Sequence, residues 1–364
     1  MKEHLTNKQI AFYIFGIVVG YGIVSLPKQV AEYASTAGWI SIAICTIVSL
    51  LGMYIITFLN YTYKNMTFDE YSKKLVGNFI SNIFIILFII YLFLVSSMSL
   101  RDTANIIKNS ILIKTPSWII IFILLILCYY ALSKGLQVIG KLCELYGFAI
   151  IIFAIIINTL SFTEGDMLNL LPVLGFNGLI GPLKSSKHLI LSFIGGELLL
   201  IVPFSDKNNK SVFKYTLSMT AFIGLIYIII FESNLSIIGA EDLVHYYDAL
   251  IISAKRMDVH FLEFFRKIDG IVLTAWIMAV FTTVTIESYA LNFFIRKLLK
   301  IKSNVLSTAI VMTLVFIASL IPRYNEDVRE ILLYTGYLGL FCSFVIPFIL
   351  FIISKVKKYD KKNL

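Results

Sequence analysis

Two stretches of the chain interrupt apolar sequence with glycine, proline and hydroxyl groups. The first reads Gly16-Ile17-Val18-Val19-Gly20-Tyr21-Gly22-Ile23-Val24-Ser25-Leu26-Pro27. The second reads Ser192-Phe193-Ile194-Gly195-Gly196-Glu197-Leu198-Leu199-Leu200-Ile201-Val202-Pro203. In each, a glycine stands seven positions before a proline, Gly20 before Pro27 and Gly196 before Pro203. Glycine weakens a helix and permits backbone angles that other residues avoid. Where a helix unwinds, the freed amides of one half can hold an anion. The freed carbonyls of the other half can hold an ammonium or a cation. The chemistry these residues offer is therefore non-covalent ligand binding. Glu197 adds a carboxylate inside the second stretch, a functional candidate by default if it is buried in a membrane. It could face a ligand ammonium, take a coupling proton, or bond the unwound backbone. Tyr91, Ser96 and Ser97 on one apolar run, and Thr274, Thr282, Thr283 and Thr285 on another, are further candidates for a cavity lining. Glu287 reads as lying near the cytoplasmic end of its run, within reach of lipid headgroups.

Nothing in the sequence points to an enzyme, a cofactor or a metal site. The four histidines (His4, His188, His245, His260) are scattered. The four cysteines (Cys45, Cys128, Cys143, Cys342) lie in or beside apolar runs without metal-like spacing. Such thiols behave as small apolar residues.

The elements that position these residues follow from hydropathy. The chain has 364 residues, 59% apolar and 15% charged, well away from the composition of a soluble globular chain. Runs long enough to cross a bilayer as helices predict about ten spans: 10–31, 36–60, 79–100, 116–133, 142–161, 186–204, 213–232, 268–291, 304–321 and 331–354. With the N-terminus in the cytoplasm, the cytoplasmic segments gather most of the lysine and arginine, ending in Lys355, Lys357, Lys358, Lys361 and Lys362. An even number of spans puts both termini inside. The net charge of +9 then reports topology and contact with anionic lipids, and nucleic acid is not an expected partner. Two long outer loops are predicted, 162–185 and 233–267. In the second, Glu241–Lys255 and Val259–Lys267 read as short amphipathic helices.

The two glycine-broken runs are the first and sixth spans. They occupy matching positions in two five-span halves, 10–161 and 186–354, of one transmembrane domain. An odd number of spans per half gives the halves opposite orientation. The expected architecture is thus an all-α integral membrane protein of about ten helices, in a five-plus-five inverted repeat, with helices 1 and 6 broken near the midplane. Interrupted helices at matching positions point to a transporter-type binding site.

The Gly20–Pro27 segment, the Leu171-Pro172-Val173 loop and the Ser192–Pro203 segment, in this order and spacing, resemble the B-subunit family of endospore germinant receptors. These are the spore germination permeases, within the amino acid–polyamine–organocation transporter superfamily. The resemblance covers nearly the whole chain. It implies residence in the spore inner membrane and a nutrient ligand, usually an amino acid, bound between the broken spans. It also implies assembly with a receptor A subunit and a lipoprotein C subunit. Together with the polar positions above, the candidate ligand-binding set is Gly20, Tyr21, Gly22, Ile23, Tyr91, Ser97, Phe193, Gly195, Gly196, Glu197 and Thr274. The ligand carboxylate would sit on the amides of Gly20 and Gly22, and its ammonium would face carbonyls near Phe193–Gly196. A proton-coupled amino acid symporter acting alone would use the same site.

Overall fold

A computed structural model describes residues 4–20, 22–175, 178–205, 208–257 and 268–357. Among the described residues all regular structure is helical. The helices are α1 (Asn7–Val18), α2 (Leu26–Ala34), α3 (Gly38–Thr62), α4 (Phe68–Ser110), α5 (Ser117–Ser133), α6 (Leu136–Glu164) and α7 (Ile180–Leu189). After these come α8 (Val212–Ile238), α9 (Ala240–Leu243), α10 (Ala249–Arg256), α11 (Ile268–Leu299), α12 (Asn304–Leu320), α13 (Asn325–Leu340) and α14 (Ile346–Val356). A π-turn over Phe341–Val345 joins α13 to α14. Among the described residues, six stretches are long and apolar enough to cross a membrane: Leu26–Thr62, Phe68–Ser110, Leu136–Glu164, Val212–Ile238, Ile268–Leu299 and Asn325–Val356. Ser117–Ser133 and Asn304–Leu320 are shorter apolar helices.

Local sequence explains where elements start and stop. Thr6 and Gln9 form a reciprocal capping box at the start of α1 (Gln9 N to Thr6 Oγ1 3.3 Å, Thr6 N to Gln9 Oε1 3.1 Å). Pro27 sits in the first turn of α2, where its missing N–H costs no bond. Helix α4 breaks at Gly77 (φ 84°), close to the start of the predicted span 79–100, and runs well past that span at its C-terminal end. Its polar last turns, including Arg101, Asp102 and Lys108, continue the helix beyond the apolar run that hydropathy can see. Two loop readings also change. The segment expected as one amphipathic helix over Glu241–Lys255 is two pieces, α9 and α10, and α10 packs on α11. Its companion Val259–Lys267 lies outside the described residues. The Leu171-Pro172-Val173 turn is tied to the α2–α3 corner, where Thr36 Oγ1 donates to the Pro172 carbonyl (2.6 Å) and Trp39 Nε1 to that of Val173 (3.1 Å).

The packing places apolar residues outside and many polar groups inside. Large apolar side chains such as Leu51, Phe79, Phe122, Phe148, Ile155, Leu225 and Ile317 are exposed around the bundle. Ser96, Ser97, Ser99, Thr103, Thr282, Thr283, Thr285, Ser288 and Asn292 are buried within it. In water such a surface would drive aggregation; against lipid it is the matched surface. Helix α3 packs on α8, α4 on α11 and α13, α1 on α6 and α8, and α12 on α4 and α5.

Phe148 is 62% exposed near the centre of α6. If that face meets lipid, Phe148→Lys places an ammonium in hydrocarbon at a cost of about 2.5–3.5 kcal/mol. The yield of membrane-inserted protein, measured after carbonate extraction, is expected to fall. An unchanged yield would indicate that the face lies in water.

Candidate functional site

The site is built around two places where helical backbone stops. Helix α1 ends at Val18 and α2 begins at Leu26. Helix α7 ends at Leu189 and is followed by one 3-10 turn (Ile190–Phe193), an extended Ile194, Gly195, and a second 3-10 segment (Gly196–Ile201). The part after this second interruption is thus a 3-10 helix rather than the α-helical half expected. A 3-10 helix rises about 2.0 Å per residue against 1.5 Å in an α-helix, so six residues reach further. Gly195 has φ +125°, a region that disfavours any side chain. A Cβ at Gly20 would run into the Thr283 side chain, so the first interruption approaches α11 more closely than any other residue would permit.

Hydroxyl and amide side chains take up the carbonyls the interruptions release. Thr283 Oγ1 donates to the carbonyls of Gly16 (2.7 Å) and Ile17 (3.4 Å), and Thr282 Oγ1 also reaches Gly16 (3.2 Å). Tyr227 Oη, from α8, bridges the two interruptions, reaching the Val18 carbonyl at 2.8 Å and the Ser192 carbonyl at 3.3 Å. Around the second 3-10 segment, Asn60 Nδ2 donates to the carbonyls of Leu199 (2.6 Å) and Val202 (3.3 Å), and Tyr13 Oη to that of Leu198 (3.4 Å).

Between the interruptions lies a cavity of about 320 Å³. Its walls come from the first interruption and α2 (Ile17, Val18, Gly22, Ser25, Gln29), the second (Leu191, Ser192, Ile194), α4 (Tyr91, Val95, Ser99), α11 (Thr283, Glu287) and α13 (Arg329, Leu332, Leu333, Gly336). Tyr247, from the α9–α10 link, closes one end. There the Arg329 guanidinium lies 3.6 Å from the centre of the Tyr247 ring, and Tyr247 Oη donates to Asp102 Oδ2 at 3.3 Å. A volume of this size lies at the small end of ligand pockets.

Of the residues singled out in the sequence, Gly22, Tyr91 and Thr283 line this cavity. Phe193, Gly196 and Glu197 line a separate small cavity of about 30 Å³ with Ser343. Ile23 lines a third, of about 50 Å³, beside Trp276. Ser97 is buried and donates to the Phe93 carbonyl (2.7 Å). Thr274 is exposed, bonded to the Gly270 carbonyl (2.7 Å), and takes no part in the central lining. Tyr21 lies outside the described residues. Glu197 is 1% exposed. It accepts the Gly195 amide on Oε2 (2.8 Å) and the Tyr91 hydroxyl on Oε1 (3.1 Å), so it clamps the backbone of the second interruption. Glu287 is 6% exposed and lines the central cavity. That corrects the reading of a carboxylate reaching for headgroups: α11 continues for three turns past it to Leu299. Sequence reasoning also passed over Ser25, Gln29, Ser99, Ser192, Tyr247 and Arg329. The last two approach from elements whose packing no sequence pattern announced.

An apolar exterior around a polar internal cavity, walled by interrupted helical segments, defines a polytopic integral membrane protein of the permease type. The profile of the family described as spore germination protein, the spore permeases, matches residues 4–328, and the chain belongs to that family. It is 27% identical to spore germination protein YndE of Bacillus subtilis over 359 residues, covering 98% of both chains. It is 28% identical to spore germination protein A2 of Bacillus subtilis over 346 residues, covering 94% of this chain and 93% of that one. It is 23% identical to spore germination protein GerQB of Bacillus cereus over 361 residues, covering 98% and 97%.

The Glu197 clamp yields a paired prediction. Glu197→Ala orphans the buried Gly195 N–H and is expected to cost about 1–3 kcal/mol. In Glu197→Gln the amide oxygen still accepts Gly195 N–H, and the Tyr91 hydroxyl reverses to accept the amide N–H. Thermal unfolding in detergent should show the alanine variant clearly destabilised and the glutamine variant close to wild type. Equal melting of all three would contradict the clamp. Separately, Tyr227→Phe strands the Val18 and Ser192 carbonyls together. The same assay should show a loss of about 1–3 kcal/mol.

Proposed function

We propose that this chain is the nutrient-sensing subunit of a spore germination receptor, binding a small ligand, an amino acid, in the cavity between the two interrupted segments. The observation that carries the reading is that both interruptions open onto one cavity of about 320 Å³. In this reading α1–α2 is the first membrane span and the stretch from α7 through Ile201 the sixth. Ten spans then form two inverted halves, 10–161 and 186–354, the arrangement that places ligand sites at the repeat interface.

The packing supports that symmetry. If span n corresponds to span n+5, every helix contact should have a counterpart. The contact of α11 with α6 is matched by that of α4 with α13, and α4 with α12 by α11 with α5. The contact of α1 with α8 is matched by that of α7 with α3, while α3–α8, α4–α11 and α5–α12 map onto themselves.

Ligand would act by favouring one arrangement of the two halves, which partner subunits read. It must bind the two arrangements with different affinity, since equal affinity shifts nothing. The partners in this reading are a receptor A subunit and a lipoprotein C subunit, in the spore inner membrane with both termini on the core side. One observation favours a second reading, a proton-coupled amino acid symporter acting alone. Tyr91 bonds the buried Glu197 and lines the same cavity as the buried Glu287, so two carboxyls stand near one path. Uptake of labelled amino acids into proteoliposomes under a proton gradient separates the two. Accumulation by this chain alone would favour the symporter.

A Cβ at Gly196 would stand 2.6 Å from Met53 Cε, so a larger side chain displaces the wall behind the second interruption. Gly196→Leu in spores of the source organism is expected to abolish the germination response that depends on this chain while leaving its amount in the membrane unchanged. A normal response at normal nutrient concentration would contradict the site.

A further inference from the structure

Glu287 is the one carboxyl on the cavity wall. Its side chain is more than nine-tenths buried and makes no hydrogen bond or ion pair with any described residue; Oε2 in particular is enclosed and unpartnered. Buried carboxyls are ordinarily paired or hydrogen-bonded, because an isolated charge in a low-dielectric interior is expensive. The neighbouring Glu197 shows the contrast, with both oxygens engaged. The backbone that could otherwise take a ligand ammonium is already in use. The carbonyls of Ile17, Val18 and Ser192, all on the cavity wall, accept Thr283 or Tyr227.

The charges along the cavity are also ordered. The wall follows α4 for two turns, from Tyr91 to Ser99. Arg329 stands at the end closed by Tyr247. Gly336 is seven residues further along α13, about 10 Å at 1.5 Å per residue. A Cβ at Gly339, one turn beyond, would meet the Tyr91 ring. Arg329 and Tyr91 therefore stand toward opposite ends of the cavity.

We propose that Glu287 is the residue that holds the ligand's ammonium group, and that the cavity selects a zwitterionic amine over a bare cation. This rests on the reading of the cavity as a small-ligand site. A primary ammonium offers the donors that Glu287 lacks and neutralises its charge. The Arg329 guanidinium on the same cavity wall repels inorganic cations and polyamines, whereas a molecule that also carries a carboxylate offsets that penalty. Glu197 then positions the second interruption and does not touch the ligand.

The test uses the purified full chain in detergent and thermal unfolding with each protein amino acid as probe. The amino acid giving the largest shift, and the carboxylic acid made by removing its amino group, are then titrated against wild type, Glu287→Gln and Glu287→Asp. Wild type is expected to prefer the amino acid by tenfold or more, about the effect of one charge-assisted hydrogen bond. Glu287→Gln should lose that preference while keeping its affinity for the des-amino acid, and Glu287→Asp should restore part of it. Wild-type affinity in Glu287→Gln overturns the assignment and leaves the ligand site standing. Equal loss for both compounds shows a structural role and also overturns it. If Glu287→Gln does not fold, a preference in Glu287→Asp that is unchanged from wild type overturns the assignment. If no amino acid shifts the wild type, the amino acid reading of the cavity fails, and this inference with it.

Discussion

A backbone that stops being helical inside hydrocarbon strands amide and carbonyl groups, each costly if left unpaired. The rest of this molecule is arranged around that constraint. Two segments cease to be α-helical, after Val18 and after Leu189, and side chains from four helices converge on the carbonyls released. Thr282 and Thr283 come from α11, Tyr227 from α8, Asn60 from α3 and Tyr13 from α1. None of these groups can be moved independently. Thr283 fits because residue 20 has no side chain, and Tyr227 bridges both interruptions at once. The apolar exterior permits the bundle to sit in lipid, and the polar interior permits two of its members to be discontinuous.

The cavity is a consequence of the same arrangement. Where the interruptions diverge from regular helix they cannot pack side chain against side chain, and the space between them is walled by small and hydroxyl residues, Gly22, Ser25, Ser99, Ser192 and Gly336. Glu197 belongs to the support: its two oxygens hold Gly195 N–H and Tyr91 Oη, which fixes the strained glycine behind the wall. Glu287 belongs to the cavity wall. The two carboxyls thus differ: Glu197 is satisfied by the protein, and Glu287 has no partner among the described residues.

Much of this was legible in the sequence, for identifiable reasons. Glycine–proline spacing marked both interruptions because few residues other than glycine tolerate φ near +125° or the approach of Thr283, and those types stand out in apolar runs. The apolar runs located the long helices, but not the polar extension of α4 past residue 100 or the division of 241–255 into α9 and α10. Both depend on tertiary packing that hydropathy does not register. Tyr91 was found because hydroxyls in apolar helices are conspicuous. By the same criterion Thr274 was included, although it only bonds the carbonyl one turn back and faces outward, the ordinary behaviour of a helical threonine. Glu287 was misplaced because counting from the end of an apolar run assumes that the membrane ends there, whereas α11 continues to Leu299. Arg329 and Tyr247 reach the cavity from the start of α13 and from a link between short helices, which only the fold brings together.

The central claim is that a small ligand occupies the space between the two interruptions. Ligand protection of an introduced thiol tests it most directly. Ser25 lies on the cavity wall, and Thr163, exposed at the end of α6, serves as a surface control. With Ser25→Cys and Thr163→Cys variants in native membranes, at least one protein amino acid should slow modification at position 25 by a small thiol reagent and leave position 163 unaffected. Modification of position 25 at an unchanged rate in the presence of every amino acid would contradict the account.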